Sequence, residues 1–137
     1  MWKTYALLSA AFAGATTIFA KIGMKGIDSN LATAIRSIII LILAWLVVIY
    51  TGAQRQLPQL TQQNWIFLLL SGIVTGLSWI FYFKAIQLGD VSKVAPIDKS
   101  SVAIAMLFAF IFLGEKMSLK ALIGGILIVG GTFVLIL

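Results

Sequence analysis

Cysteine and histidine are both absent from this 137-residue chain, proline occurs twice, and only 10% of the residues are charged. Each shortage removes a class of chemistry. Without thiols there is no disulfide framework, thiolate nucleophile or cysteine metal site. Without imidazole the usual proton-handling side chain of neutral pH is missing. Of the four acidic residues, Asp28, Asp90 and Glu115 fall in or beside polar breaks, which leaves Asp98 as the one carboxylate within an apolar block. No nucleophile–base pair, metal cluster or phosphate loop is visible, so no catalytic residue, metal or cofactor is expected, and neither is an enzyme. The formal charge of +6 does not point to nucleic acid, because the ten Lys and Arg residues are scattered singly or in pairs and form no basic stripe.

What the chain does have is apolar length, with 61% of its residues hydrophobic. Five apolar blocks run from Thr4 to Met24, Leu31 to Thr51, Trp65 to Leu88, Val94 to Leu113 and Leu119 to Leu137. At about 1.5 Å per residue, blocks of about 20 residues cross the roughly 30 Å hydrocarbon layer as helices and are too long for barrel strands. The fold class expected is an all-α integral membrane protein, a five-transmembrane-helix bundle forming one domain over residues 1–137. The breaks between blocks carry turn and polar residues: KGIDSN, GAQRQLPQLTQQN, LGDVSK and GEKMS. Three of these connections are short, which makes neighbouring helices antiparallel. Trp2, Tyr50 and Trp65 stand where block ends meet the membrane surface. The first block also carries a signal-like pattern, Lys3 followed by apolar residues and AFAGA, but it continues through TTIFAKIG for a full span and is read as a helix that stays.

Positive charge orients membrane helices, and here it is nearly balanced. Lys3, Arg55, Lys116 and Lys120 fall on the side of the N-terminus, while Lys21, Lys25, Lys84 and Lys93 fall on the other, four against four, with Arg36 and Lys99 deeper in helices that begin on the second side. An odd number of spans with balanced charge fits a chain that inserts both ways and pairs with an inverted copy of itself; the alternative is an orientation set by other features, or a parallel dimer.

Polar residues sharing one helical face inside an apolar block point into a bundle or a watery cavity, because facing lipid is costly. In the third block Ser71, Thr75, Ser78 and Tyr82 follow spacings of four, three and four, with Trp79 beside them and Gly72 and Gly76 as a close-packing pair. The first block repeats the pattern with Ser9, Ala13, Thr16 or Thr17, and Ala20; the fourth has Asp98, Ser101, Ala105 and Ala109. The second and fifth blocks are mostly Ile, Leu and Val apart from Arg36 and the glycines. The expected cavity walls are therefore the first, third and fourth helices, and the expected substrate-binding residues are Asp98, Ser71, Thr75, Ser78, Tyr82, Thr17, Ser101 and Trp79.

Asp98 follows Pro96 closely, a pattern suited to the first turn of a helix, where a carboxylate can cap backbone N–H groups. The competing role is to bind a proton, a cation or an amine-bearing substrate. Lys99 lies about 100° around the helix from Asp98 and is not required as its partner, whereas Arg36 and Lys84 belong to helices with ends on the same side. Arg36, Lys84 and Lys99 are the charge partners considered.

FAKIGMKGI at the end of the first block, AIRSIIILIL in the second, GLSWIFYFKAIQLGDVSKVAPI across the third and its loop, and FLGEKMSLKALIGGILIVGGTFVLI at the end together resemble the EamA domain of the drug/metabolite transporter superfamily. The resemblance covers essentially the whole sequence, and the Gly-Glu-Lys segment before a glycine-rich helix is its most specific part. It implies a multi-pass transporter in the cell (inner or plasma) membrane, in contact with lipid and carrying a small-molecule substrate. Most members resemble two such repeats in inverted relation, and this sequence holds one. An antiparallel homodimer working by alternating access is the reading that follows. The alternative is a non-transporting membrane subunit that assembles with another protein.

Overall fold

The computed structural model describes residues 1–137 and contains helices without a strand. Helices α1 (Trp2–Gly23), α2 (Ser29–Thr51), α3 (Gln62–Leu88), α4 (Val91–Lys99), α5 (Ser101–Phe112) and α6 (Leu119–Ile136) follow in order, with a 3-10 segment at Ala53–Gln59 between α2 and α3. Five spans are long and apolar enough to cross a membrane, α4 and α5 together making the fourth. Helix is the local answer because it pairs peptide groups within a single span, as hydrocarbon requires.

The ends are marked by the polar breaks. Asp28 accepts the Asn30 N–H at 2.8 Å to start α2, and Ser118 accepts the Ala121 N–H at 3.1 Å to start α6. At the start of α3, Asn64 Oδ1 accepts the Thr61 N–H at 3.1 Å while Thr61 Oγ1 accepts the Asn64 N–H at 3.2 Å. Gly52 ends α2 with φ of +73°, a left-handed conformation that lets its N–H turn back to the carbonyls of Val48 and Ile49.

The chain divides into two compact units, Phe19–Gln87 and Met1–Ile18 with Leu88–Leu137. Phe19–Gln87 contains all five buried hydrophobic residues, Ala20, Met24, Ala32, Phe83 and Ile86, together with buried Ser29 and Thr33. Two hydrogen bonds tie its helix ends together. Lys21 Nζ donates to the Ile86 carbonyl at 2.6 Å, and Gln87 Nε2 donates to the Ile27 carbonyl at 2.7 Å. The last carbonyls of α3 have no donor further along their own helix, and a lysine there also meets the negative end of the helix dipole.

In the other unit α6 packs on α4 and α5. The fourth span is broken at Ser100, where the backbone N–H bonds to Ile97 O at 3.1 Å instead of reaching Pro96 O. The Pro96 carbonyl instead accepts from the Thr132 hydroxyl at 3.2 Å, a hydroxyl that also reaches Ile128 O at 2.9 Å, and Ser100 Oγ donates to Ile97 O at 2.7 Å. The break at Ser100, a few residues after the proline, frees the Pro96 carbonyl, and a hydroxyl from α6 supplies it with a donor. This corrects two sequence expectations. The helix begins at Val91 with Asp90 in the cap position, so Pro96 is interior, not in the first turn, and Asp98 is the eighth residue of α4 with no first-turn N–H groups to cap.

The glycines also differ from expectation. A Cβ added at Gly72 or Gly76 would meet nothing within 4 Å, so this pair makes no close helix contact within the chain. At Gly125 an added Cβ would lie 3.5 Å from Met106, marking the approach of α5 to α6.

The Thr132 contact is directly testable. Thr132→Val keeps the shape but removes the donor to Pro96 O, and is expected to cost about 0.6–1.5 kcal/mol. Thr132→Ser, which keeps the hydroxyl, should lose clearly less. Thermal unfolding of both variants in detergent measures the difference, and equal losses would rule out a role for the hydroxyl.

Candidate functional site

In Phe19–Gln87 the polar residues of α3 divide into two groups. Ser71, Thr75 and Ser78 are exposed along the middle of the helix, while Trp79 and Tyr82 are half-buried. Lys84, near the helix end, is exposed, as a side chain reaching for the membrane surface would be. Arg36 is half-buried, its guanidinium carbon 3.9 Å from the centroid of the Phe83 ring. The Tyr82 ring meets Phe83 edge-on at 5.2 Å between centroids. Phe83 thus joins two residues that the sequence had marked separately.

The second helix is more polar than its composition implied. Ser29, Thr33 and Arg36 recur at steps of four and three, which places them on one face of α2. Ser29 is 1% and Thr33 7% exposed. The Thr33 hydroxyl donates to Ser29 O at 2.8 Å and the Ser37 hydroxyl to Thr33 O at 2.8 Å. Two polar atoms in this region are buried without a hydrogen-bond partner, Ser29 Oγ and Arg36 Nη1. The spacing of Ser29, Thr33 and Arg36 was visible in the sequence, but it was masked by the Ile and Leu that follow. Phe83 carried no such signal, because an aromatic residue in an apolar block is ordinary until its neighbour is known.

In Met1–Ile18 with Leu88–Leu137, Thr17 is buried and donates to Ala13 O at 3.1 Å, and Ser101 is exposed. Asp98 is half-buried and forms an ion pair with Lys99, 3.8 Å between Nζ and Oδ2, the two side chains being 34% and 59% exposed. Lys99, considered as a partner but not required by its angular offset, reaches the adjacent carboxylate through its long, flexible stem.

These helices present chemistry for holding small polar molecules, with hydroxyls, aromatic rings, one carboxylate and one stacked guanidinium, all on membrane-spanning elements. The model of the EamA-like transporter family matches residues 1–137. The chain belongs to the EamA-like transporter family. A curated protein of Sinorhizobium sp, described as "Uncharacterized transporter in cobO 3'region", is 43% identical over 134 residues, 98% of this chain and 95% of that relative. No solved structure matches the chain.

This EamA-like protein is therefore a multi-pass membrane transporter, and both the family and the relative are named for transport, not catalysis. Within it, Asp98 is neither a helix cap nor part of a tight buried pair. Its contribution to stability is expected to be small, since partly exposed ion pairs are worth about 0–1 kcal/mol. Asp98→Asn and Asp98→Ala should therefore unfold within a few degrees of wild type and of each other. A capping carboxylate would separate them, with Ala losing about 1 kcal/mol and Asn much less. Thermal unfolding of the three proteins in one detergent decides the point.

Proposed function

We propose that this protein moves metabolites or drug-like small molecules across the cell's inner (plasma) membrane by alternating access, as an antiparallel homodimer of chains inserted in opposite orientations. The observation that carries the dimer is the balance of Lys3, Arg55, Lys116 and Lys120 against Lys21, Lys25, Lys84 and Lys93. With these flanking residues balanced four against four and only Arg36 and Lys99 deeper in the spans, neither orientation is strongly favoured at insertion. Inverted repeats around a site near the midplane are a recurrent transporter design, and two opposed copies of one five-span unit reproduce it.

The face of α3 supports the same reading. Ser71, Thr75 and Ser78 are exposed, with Gly72 and Gly76 open beside them. A polar stripe of this kind is costly against lipid, so it calls for a watery cavity or a second copy to cover it. In this reading the solute is held by Asp98, Ser71, Thr75, Ser78, Tyr82, Thr17, Ser101 and Trp79, with Arg36, Lys84 and Lys99 balancing charge. Asp98 is the carboxylate available within a span for a coupled proton or a cationic group.

Two experiments test this. Reporter tags at the termini should reveal both orientations of the wild-type chain. Moving two lysines to one side should lock the orientation and abolish uptake until an oppositely locked copy is co-expressed. A wild-type chain found in a single orientation removes the antiparallel dimer, and flux that requires a different partner protein favours a subunit role. In the second experiment, single cysteines at Ser71, Thr75, Ser78 and Tyr82 should react with a water-soluble thiol reagent several times faster than those at Leu69, Val74 and Ile80. Equal rates at both sets would return the stripe to simple packing.

A further inference from the structure

We infer that Arg36, on the polar face it shares with Ser29 and Thr33, is a binding site for the carboxylate of an organic solute. The inference rests on the transporter reading and names the chemical class of its cargo. It begins from what the guanidinium lacks. The face of the Arg36 group is satisfied by the Phe83 ring at 3.9 Å, but its N–H bonds point outward in the guanidinium plane, where an aromatic face offers nothing. Arg36 Nη1 is buried and has no acceptor. Such an atom is costly in a low-dielectric interior unless an acceptor arrives.

The surroundings narrow the acceptor. Between Phe19 and Gln87 the chain has a single carboxylate, Asp28, and that one is engaged in capping α2 through the Asn30 N–H at 2.8 Å. Lys21, in the same unit, is turned to the Ile86 carbonyl, 2.6 Å from its Nζ. The Arg36 guanidinium itself carries one positive charge, which matches a monoanion; a phosphate dianion would bring surplus negative charge into the membrane interior. The planar fork of arginine also suits the two oxygens of a carboxylate.

A second unpartnered group lies on the same face. Ser29 is 1% exposed, and its Oγ has no hydrogen-bond partner. Seven residues separate it from Arg36, roughly 10 Å along the helix. Side chains on a helix lean toward its N-terminus, so the Arg36 stem runs back toward Thr33 and Ser29. A carboxylate held by the fork, with a neighbouring polar group of the same solute reaching the Ser29 hydroxyl, would use both unpartnered atoms. The half-buried Tyr82 beside Phe83 gives the apolar part of such a solute an aromatic wall.

Benzoate and benzyl alcohol are suitable probes because they share a ring and differ in charge. Saturation-transfer NMR titrations on the full chain in lipid nanodiscs, with empty nanodiscs as blank, would give the affinity of each. Benzoate is expected to bind wild type at least about tenfold more tightly than benzyl alcohol, the scale of one charge-assisted hydrogen bond. Arg36→Gln should abolish that preference. Arg36→Lys, which keeps the charge, should retain the fold and weaken benzoate severalfold, because an ammonium has no fork. Acetate in excess should displace benzoate better than inorganic phosphate does. The inference is overturned if wild type does not distinguish the two probes, if both Arg36 variants bind benzoate as wild type does, or if phosphate is the better competitor. It is also overturned if Asp98→Asn strengthens benzoate binding, since the guanidinium would then belong to a carboxylate of the protein itself. Binding is read without transport, so a failure of flux in liposomes bears on alternating access alone and leaves this result standing.

Discussion

Every peptide group placed in hydrocarbon must find its hydrogen-bond partner within the protein, and the structure follows from that demand. It makes the five spans helical and puts the capping residues Asp28, Thr61 and Ser118 at span ends, where N–H groups would otherwise be unpaired. It also explains the one place where the rule is broken. The fourth span breaks at Ser100, shortly after Pro96, and the Pro96 carbonyl that the Ser100 N–H does not reach is served by Thr132 from α6. The fault in one helix is thereby turned into a contact with another.

The same demand accounts for the contrast between the two units. In Phe19–Gln87 the helix ends are joined by Lys21 and Gln87, each donating to a carbonyl more than fifty residues away in sequence, around the chain's buried apolar residues. In Met1–Ile18 with Leu88–Leu137 the buried positions named are polar or small, Thr17, Gly125 and Thr132. Most large apolar side chains in both units are exposed. For a soluble protein this would be untenable, but lipid is as apolar as leucine, so little is gained by burying one against another. Close packing and hydrogen bonds hold such a protein together, and they are concentrated at a few positions.

Charge inside the spans is correspondingly informative. Asp98 and Lys99 answer each other at 3.8 Å, a loose pair whose members stay partly exposed and remain available to other partners. Arg36 is held differently, stacked on an aromatic ring with its Nη1 unpaired. One arrangement leaves a carboxylate open to exchange and the other keeps a cation oriented.

The sequence by itself determined the number of spans, their approximate limits and their helical form, because length and hydropathy alone decide what crosses a bilayer. The EamA resemblance was also legible in it, through the ordered segments from FAKIGMKGI to the final glycine-rich helix, and the family match over residues 1–137 bears it out. Tertiary structure decided what depends on which helices meet. That Phe83 stacks on Arg36 could not be read from two positions forty-seven residues apart in unremarkable apolar context. That Pro96 lies inside a helix beginning at Val91, and that Thr132 repairs the break, required the backbone path through LGDVSK and the approach of α6. Periodicity reports which residues share a face, but the partner of that face is chosen by packing between distant segments, and in lipid the choice is made by a small number of hydrogen bonds and close contacts that composition does not record.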